Sequence, residues 1–385
     1  MKFKYLLVLY LVKVTNLFIV FFRLGAGSTW PGHLALKVYS KSLKVALMKL
    51  PKGYILVSGT NGKTTACKML SHILQKQGLR VVSNKSGANL LNGVLSSLLL
   101  DSNLIGKSKS DIGVFEIDEF VLSAMLLEGS PRILMLLNLS RDQLDRYGEI
   151  DIIFDRWVRT IKKIPNDFHI VADISQEEFK KLNDFYKGKV VYFNENSSYL
   201  SKTKLSGKHN TKNLNACLVT ASILGYDVDK SVSLLSDFNP AYGRGEEIRF
   251  KGKNYRVLLA KNPASFNNNL DLLLESSSSC DTLFFILNDN IPDGRDVSWI
   301  YDVAPKKIKE TCFGKKVIVS GSRCLDMAIR LRYAGVGFSS SDVFNNLGSS
   351  IKAITEDNNI KSIVVLPNYS AMLGLRKLIV GRGIL

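Results

Sequence analysis

Tyr54-Ile55-Leu56-Val57-Ser58-Gly59-Thr60-Asn61-Gly62-Lys63-Thr64-Thr65 decides how this chain folds. Tyr54 to Val57 is a short apolar run of the length of a buried strand. Gly59 and Gly62 punctuate the turn that follows it. From Thr64 to Gln77 apolar residues recur at helical spacing, with Met69, Leu70, Ile73 and Leu74 on one side, and Gly78 is a plausible stop. A Gly-Lys-Thr between a strand and a helix has the setting of a phosphate-binding loop. Backbone N–H groups of such a loop, together with the helix start, cradle an anion. Lys63 is placed for β- and γ-phosphates, and the Thr64 hydroxyl for Mg²⁺. The general pattern asks for glycine at position 57, where Val57 stands, so this is not the standard loop.

Working outward, strand-like and helical segments alternate. Apolar runs fall at Arg80-Val81-Val82, Ile112 to Phe115, Ile133 to Leu137, His169 to Val171 and Val190 to Phe193. Short apolar runs separated by helices predict an α/β fold, a parallel sheet covered on both faces. The pattern restarts near Tyr255, with runs at Arg256 to Ala260, Leu283 to Leu287, Val317 to Val319 and Ile363 to Leu366. Helical segments over Leu325 to Tyr333 and Val343 to Thr355 lie between them, which predicts a second, smaller α/β unit. The boundary falls near Asn239-Pro240. At 385 residues the chain suits two or three domains.

Before the first strand the chain is apolar and basic. Tyr5 to Phe22 is about long enough to cross a bilayer but is interrupted by Lys13, Thr15 and Asn16. No small-residue cleavage site follows Phe22, so no signal-peptide cleavage is expected. Three readings stand: a helix on the membrane face, a poor transmembrane helix, or a helix buried on the protein. Lys2, Lys4 and Arg23 flank the run and favour an anionic surface. A loop with three glycines and a proline, Gly25 to Gly32, follows, and then a basic helical stretch from Leu34 to Leu50.

Lys plus Arg is 52 and Asp plus Glu is 34, a net charge of +18. That excess calls for an anionic partner: nucleic acid, anionic lipid or a phosphorylated substrate. No Lys/Arg run alternates with aromatics, which disfavours nucleic acid. Cys67, Cys217, Cys280, Cys312 and Cys324 are scattered, with no C-x-x-C pair. They read as small buried hydrophobes in a reducing cytoplasm, not as a disulfide framework or zinc ribbon.

Gly59-Thr60-Asn61-Gly62-Lys63-Thr64-Thr65 resembles the ATP loop of the Mur ligase family. Gly207-Lys208-His209-Asn210-Thr211-Lys212-Asn213 is similar to that family's G-x-H-N-x-x-N segment near the adenine. Glu116, at the end of Val114-Phe115-Glu116-Ile117-Asp118-Glu119, stands where the family places a Mg²⁺-binding glutamate; Asp118 and Glu119 are further candidates. The resemblance implies a P-loop-type central domain and a Rossmann-like C-terminal domain. It implies ATP and Mg²⁺ as ligands: Gly59, Thr60, Asn61, Gly62, Lys63, Thr64, Thr65, Asn210 and Asn213 for the nucleotide, Thr64 and Glu116 for the metal. The chemistry implied is phosphorylation of a carboxylate by ATP to an acyl phosphate, which an amine then displaces.

Further stretches narrow the resemblance to the MurT type of this family, the ligase-like subunit of lipid II isoglutaminyl synthase. They are Asn138 to Glu149, Ala241-Tyr242-Gly243-Arg244-Gly245-Glu246, Lys261 to Ala264, Asn288 to Trp299 and Leu366 to Leu373. Gln143 stands where peptide-forming Mur ligases usually carry histidine. The implied reaction is amidation of the D-glutamate α-carboxylate of the lipid II stem peptide to D-isoglutamine. Ammonia would come from a GatD-type glutamine amidotransferase subunit. Arg244 would reach the γ-phosphate, and Asp296, with Asp293 and Asp302 behind it, would orient the partner's glutaminase histidine. The implied organisation is a membrane-proximal segment over 1–50, an ATP-binding domain over 51–239 and a C-terminal domain over 240–385. The implied location is cytoplasmic, at the inner face of the plasma membrane. Many MurT proteins carry a four-cysteine zinc ribbon; Asn194 to Ser206 is a short loop without cysteine, so no structural zinc is expected. An amino-acid ligase of Mur or folate type, or a non-catalytic nucleotide-binding scaffold, are the rival readings.

Overall fold

The computed structural model describes residues 2–22, 28–84, 87–139, 150–203, 208–238, 244–275, 280–290 and 293–381. The described residues divide into two compact units, one over 2–139 with 150–238 and one over 244–381.

The first unit is built on a six-stranded, all-parallel sheet. Its strands are β1 (Tyr54–Ser58), β2 (Val81–Val82), β3 (Ile112–Glu116), β4 (Ile133–Leu136), β5 (His169–Asp173) and β6 (Lys189–Phe193), in the order β2-β3-β1-β4-β5-β6. Every residue of β1, β3 and β4 is buried, which is why these strands read as unbroken apolar runs. Ile55, Val57, Val114 and Met135 enter one core with Leu70 and Ile73 of the loop-following helix and with Leu214 and Leu218. Leu56, Phe115 and Leu134 point to the opposite face and are equally buried.

Eight helices of this unit matter below: α1 (Lys2–Phe21), α2 (Trp30–Val38), α3 (Ser42–Leu47), α4 (Lys63–Lys76), α5 (Leu91–Asp101), α6 (Leu122–Glu128), α7 (Ile150–Ile161) and α8 (Lys208–Ile223). The basic stretch from Leu34 to Leu50 is two helices and not one. The chain leaves helical geometry at Tyr39 (φ −147°, ψ 94°) and restarts at Ser42. Helix α1 packs on α2 and α5, and buries Tyr5, Val8, Leu9 and Val12. Among the described residues no helix is long and apolar enough to cross a membrane.

The second unit carries a six-stranded sheet of β7 (Arg244–Phe250), β8 (Lys253–Leu258), β9 (Thr282–Ile286), β10 (Lys316–Ser320), β11 (Val343–Phe344) and β12 (Ser362–Pro367), ordered β11-β10-β9-β12-β8-β7. Among the described residues its one antiparallel pair is β7 with β8. Alternate residues of β9 divide between two cores, Leu283 and Phe285 on one face, Phe284 and Ile286 on the other. Two strands here were not legible as apolar runs. β7 is a charged edge strand, and β11 has two residues. The latter takes the start of the segment expected to be helical from Val343, so that helix runs Leu347–Glu356.

The α2–α5 crossing depends on one glycine. Gly32 N–H donates to Ser96 Oγ at 2.7 Å, and a Cβ added at Gly32 would lie 1.9 Å from the Asn92 carbonyl oxygen. Gly32→Ala is expected to destabilise the first unit by about 1–3 kcal/mol. Gly337→Ala, whose added Cβ meets nothing within 4 Å, should change stability by less than about 0.5 kcal/mol. Denaturant unfolding of the two variants checks this, and equal stabilities would contradict the packing described.

Candidate active site

Strand β1 ends at Ser58, where the next four residues turn tightly into α4. Val57 occupies the glycine position of the general loop because the strand is still running there: it pairs with Glu116 of β3 and Met135 of β4. Gly59 (φ 138°) and Gly62 (φ 88°) then take conformations that favour glycine. Space demands glycine too, since a Cβ on Gly59 would lie 2.7 Å from the Asn138 carbonyl oxygen and one on Gly62 2.3 Å from Asn213 Oδ1.

Asn138 and Asn213 thus form walls of the loop. Asn138, just past β4, clamps it: Asn61 N–H donates to Asn138 Oδ1 at 2.9 Å, Asn138 Nδ2 donates to the Asn61 carbonyl at 2.9 Å, and Thr60 N–H donates to the Asn138 carbonyl at 2.9 Å. Asn213 is buried on α8, and Asn210 lies one turn earlier on the same helix. Lys212, between them, reaches Asp173 at 3.0 Å and holds α8 to the end of β5.

Lys63 is buried and folded back on its own loop, donating to the Gly59 carbonyl and, at 3.3 Å, to the Thr60 carbonyl. It also forms a 2.9 Å ion pair with buried Glu119. Burial alone would depress the Lys63 pKa, but Glu119, Glu116 and Asp118 outweigh it and hold the ammonium above its ordinary range. The Thr64 hydroxyl donates to Glu116 Oε2 at 2.7 Å. Glu116 is fixed at the strand end by Asn84, which accepts from its N–H at 2.9 Å and donates to its carbonyl at 2.8 Å. Asn84 does there what β2, two residues long, has stopped doing.

The three acids of the Glu116–Glu119 segment have separate surroundings. Glu116 faces Thr64 and Glu119 faces Lys63. Asp118 Oδ1 accepts from Phe120 N–H at 3.0 Å at the turn into α6. Trp157 of α7 donates to the Glu119 carbonyl at 2.8 Å and secures the segment from behind. The sequence reading did not foresee Asn84, Asn138 or the Lys63–Glu119 pair; only the Glu116–Glu119 acidic cluster signalled part of it.

The donor set fits a Mg²⁺–phosphate group. One threonine hydroxyl and one carboxylate within 2.7 Å of each other leave the rest of an octahedral shell to phosphate oxygens and water. Among the described residues no group of three or more His, Cys, Asp or Glu side chains could hold a metal by itself. The Thr65 hydroxyl, also in the loop, is buried without a hydrogen-bond partner, an orphan that a phosphate oxygen would satisfy.

In the second unit Asp296 is exposed and closes a turn: Oδ1 accepts from Ser298 N–H at 2.8 Å and Oδ2 from the Ser298 hydroxyl at 3.0 Å. These bonds hold its pKa below the ordinary carboxylate range. Two such bonds leave lone pairs open on the carboxylate. Asp293 is buried and accepts from Ser370 N–H at 3.0 Å, and burial raises its pKa. Asp302 is exposed at the end of a short 3₁₀ turn. The backbone of Arg244 begins β7. Gln143 lies outside the described residues, as does most of the Asn138–Glu149 segment. All five cysteines are free and buried.

Two family models match the chain, one in each unit. The Mur ligase middle domain covers residues 57–198 and the MurT ligase C-terminal domain covers residues 259–372. These models assign the first unit to the Mur ligase middle domain and the second to the MurT ligase C-terminal domain. The chain is 26% identical to the lipid II isoglutaminyl synthase (glutamine-hydrolyzing) subunit MurT of Staphylococcus aureus, over 90% of this chain and 91% of that one. It is 27% identical to the Streptococcus pneumoniae protein of the same name, over 94% of each. The fold is that of MurF from Acinetobacter baumannii (TM-score 0.66, 15% identity, 90% of this chain and 79% of that chain). It is equally that of Mycobacterium tuberculosis folylpolyglutamate synthase complexed with ADP and AMPPCP (TM-score 0.64, 14% identity, 89% and 95%).

The Lys63–Glu119 pair yields a direct expectation. Glu119→Gln removes one partner of a buried pair, which costs about 3 kcal/mol of stability in the nucleotide-free chain. Saturating MgATP should narrow the gap to the parent, because phosphate takes over from the lost carboxylate. Denaturant unfolding with and without nucleotide checks this; a gap that nucleotide leaves unchanged would contradict it.

Proposed function

We propose that this chain is the synthase subunit of a lipid II isoglutaminyl synthase. It would use MgATP to phosphorylate the α-carboxylate of D-glutamate in the lipid II stem peptide, and ammonia would displace the phosphate to leave D-isoglutamine. The observation that carries the reading is the joining in one chain of two things: the Lys63–Thr64–Glu116 cluster at the phosphate loop, and a MurT-type second unit. The full-length likeness to proteins named MurT supports the choice of acceptor.

In this reading the loop from Gly59 to Thr65 wraps the phosphates, and Asn210 and Asn213 of α8, which abuts the loop, line the nucleotide towards its adenine. Thr64 and Glu116 hold Mg²⁺, which supplies charge neutralisation when bound. Lys63 exchanges Glu119 for phosphate oxygens, and Arg244 meets the γ-phosphate. Phosphoryl transfer asks for such positioning and charge, and for little covalent help from the protein. The domain assignment goes with it: residues 51–239 bind ATP, 240–385 form the MurT-type domain, and 1–50 face the membrane. No structural zinc is needed.

Ammonia would come from a GatD-type glutaminase. None of the five buried thiols is placed as a nucleophile; burial pushes that of Cys312 up to about 12. Asp296 is our choice for the acid that orients the partner's histidine, because it is exposed and its carboxylate is already oriented by Ser298. A lipid-linked substrate together with a need for ATP would put the reaction at the cytoplasmic face of the membrane.

Product mass tests the reaction. Amidation shifts the substrate by about one mass unit, whereas ligation of an amino acid adds roughly a hundred. With the partner and glutamine present, the parent should give the one-unit shift and Lys63→Ala should give no product. An intact rate in Lys63→Ala would indicate a scaffold. Asp296→Ala should lose activity with glutamine, by about tenfold or more, yet keep the parent rate with ammonium. Parent-level activity from both nitrogen sources would remove Asp296 from the partner's site.

A further inference from the structure

Helix α1 has two apolar faces. Tyr5, Val8, Leu9 and Val12 are buried against the first unit. Phe3, Leu7, Tyr10, Val14, Leu17 and Phe21 form a second stripe, spaced alternately by four and three residues, and all of them are exposed. The exposure is large: 65% for Val14, 68% for Leu17 and 80% for Phe21. A second segment joins this face. The Tyr10 hydroxyl donates to the Leu104 carbonyl at 3.0 Å, and Leu104 and the adjacent Ile105 are themselves exposed. Apolar side chains from two distant stretches therefore meet on one surface, an extent that marks an interaction site.

Charge decides what covers it. No Asp or Glu occurs before Asp101. Lys4 and Lys13 lie on α1, and Lys107 and Lys109 follow the Leu104–Ile105 tip. Burial and the nearby Lys109 push the Lys13 pKa below its ordinary range, with Asp101 opposing only in part. A four-three stripe also suits helix pairing. A second copy, however, would bring one basic face against another and a net +18 against +18. Anionic lipid matches both properties, accepting apolar side chains and neutralising the lysines around them. The helix cannot span, since one side of it is committed to the protein and its apolar length falls short.

We propose that the exposed stripe of α1, together with the Leu104–Ile105 tip, seats this chain in the interface of an anionic lipid bilayer, with α1 lying in the membrane plane. This deepens the membrane-side reading given above but does not rest on the ligase activity.

Co-sedimentation of the full chain with vesicles tests it. The parent should bind phosphatidylglycerol vesicles about tenfold or more tightly than phosphatidylcholine vesicles, and added salt should weaken binding. The double variant Val14→Glu/Leu17→Glu should lose about tenfold or more of that affinity while keeping the parent's thermal midpoint and nucleotide affinity. Leu104→Ser/Ile105→Ser, on the loop, should weaken binding in the same direction and guards against a folding defect in the first variant. A parent that ignores phosphatidylglycerol overturns the proposal, as do variants that bind like the parent. So does light scattering that finds a parent dimer, dissolved by the α1 variant, with no vesicle binding; that result assigns the face to a second copy. Because the readout is lipid binding, it stands or falls apart from amidation.

Discussion

Strand β1 is hydrogen-bonded along both edges, to β3 and to β4, and the phosphate loop owes its shape to where that strand stops. Parallel pairing puts Glu116 level with Val57, so its carboxylate emerges beside the helix that the loop begins. On the other edge β4 ends at Leu136, and Asn138 turns back to bond Asn61. Asn84 and Asn138 replace ladder bonds that the sheet no longer supplies. The loop is therefore shaped by its neighbours before any nucleotide arrives. Preorganisation of this kind lowers the cost of binding.

Electrostatics follow from the same geometry. A buried ammonium needs a counter-charge. In this chain Glu119 provides it at contact distance, with Glu116 and Asp118 adding to the field. The loop thus carries its own anion, and in the proposed reaction a nucleotide phosphate would exchange with it. Exchange of one partner for another avoids exposing Lys63 to an uncompensated interior.

The strands that face core on both sides were legible in the sequence, because complete burial writes a continuous apolar run. So was the loop, because Gly59, Gly62 and Lys63 are chosen by conformation and chemistry that little else satisfies. What escaped had other causes. β7 is Arg-Gly-Glu-Glu-Ile-Arg-Phe, an edge strand whose pairing is made by backbone and not by apolar burial. The break at Tyr39 divides a stretch whose composition is helical throughout. Asn84, Asn138 and Glu119 act on partners tens of residues away, and no local spacing encodes that. Helix α1 read as one apolar segment, whereas the fold divides it into a packed face and an exposed face.

In the proposed reaction the loop's ATP activates a carboxylate. The most direct measurement follows oxygen. With the D-glutamate α-carboxylate of the lipid II substrate labelled with oxygen-18, turnover by this chain with its glutaminase and MgATP should carry label into the released inorganic phosphate. An acyl phosphate leaves one carboxylate oxygen on the phosphoryl group when ammonia displaces it. Amidated product accompanied by unlabelled phosphate would exclude an acyl phosphate.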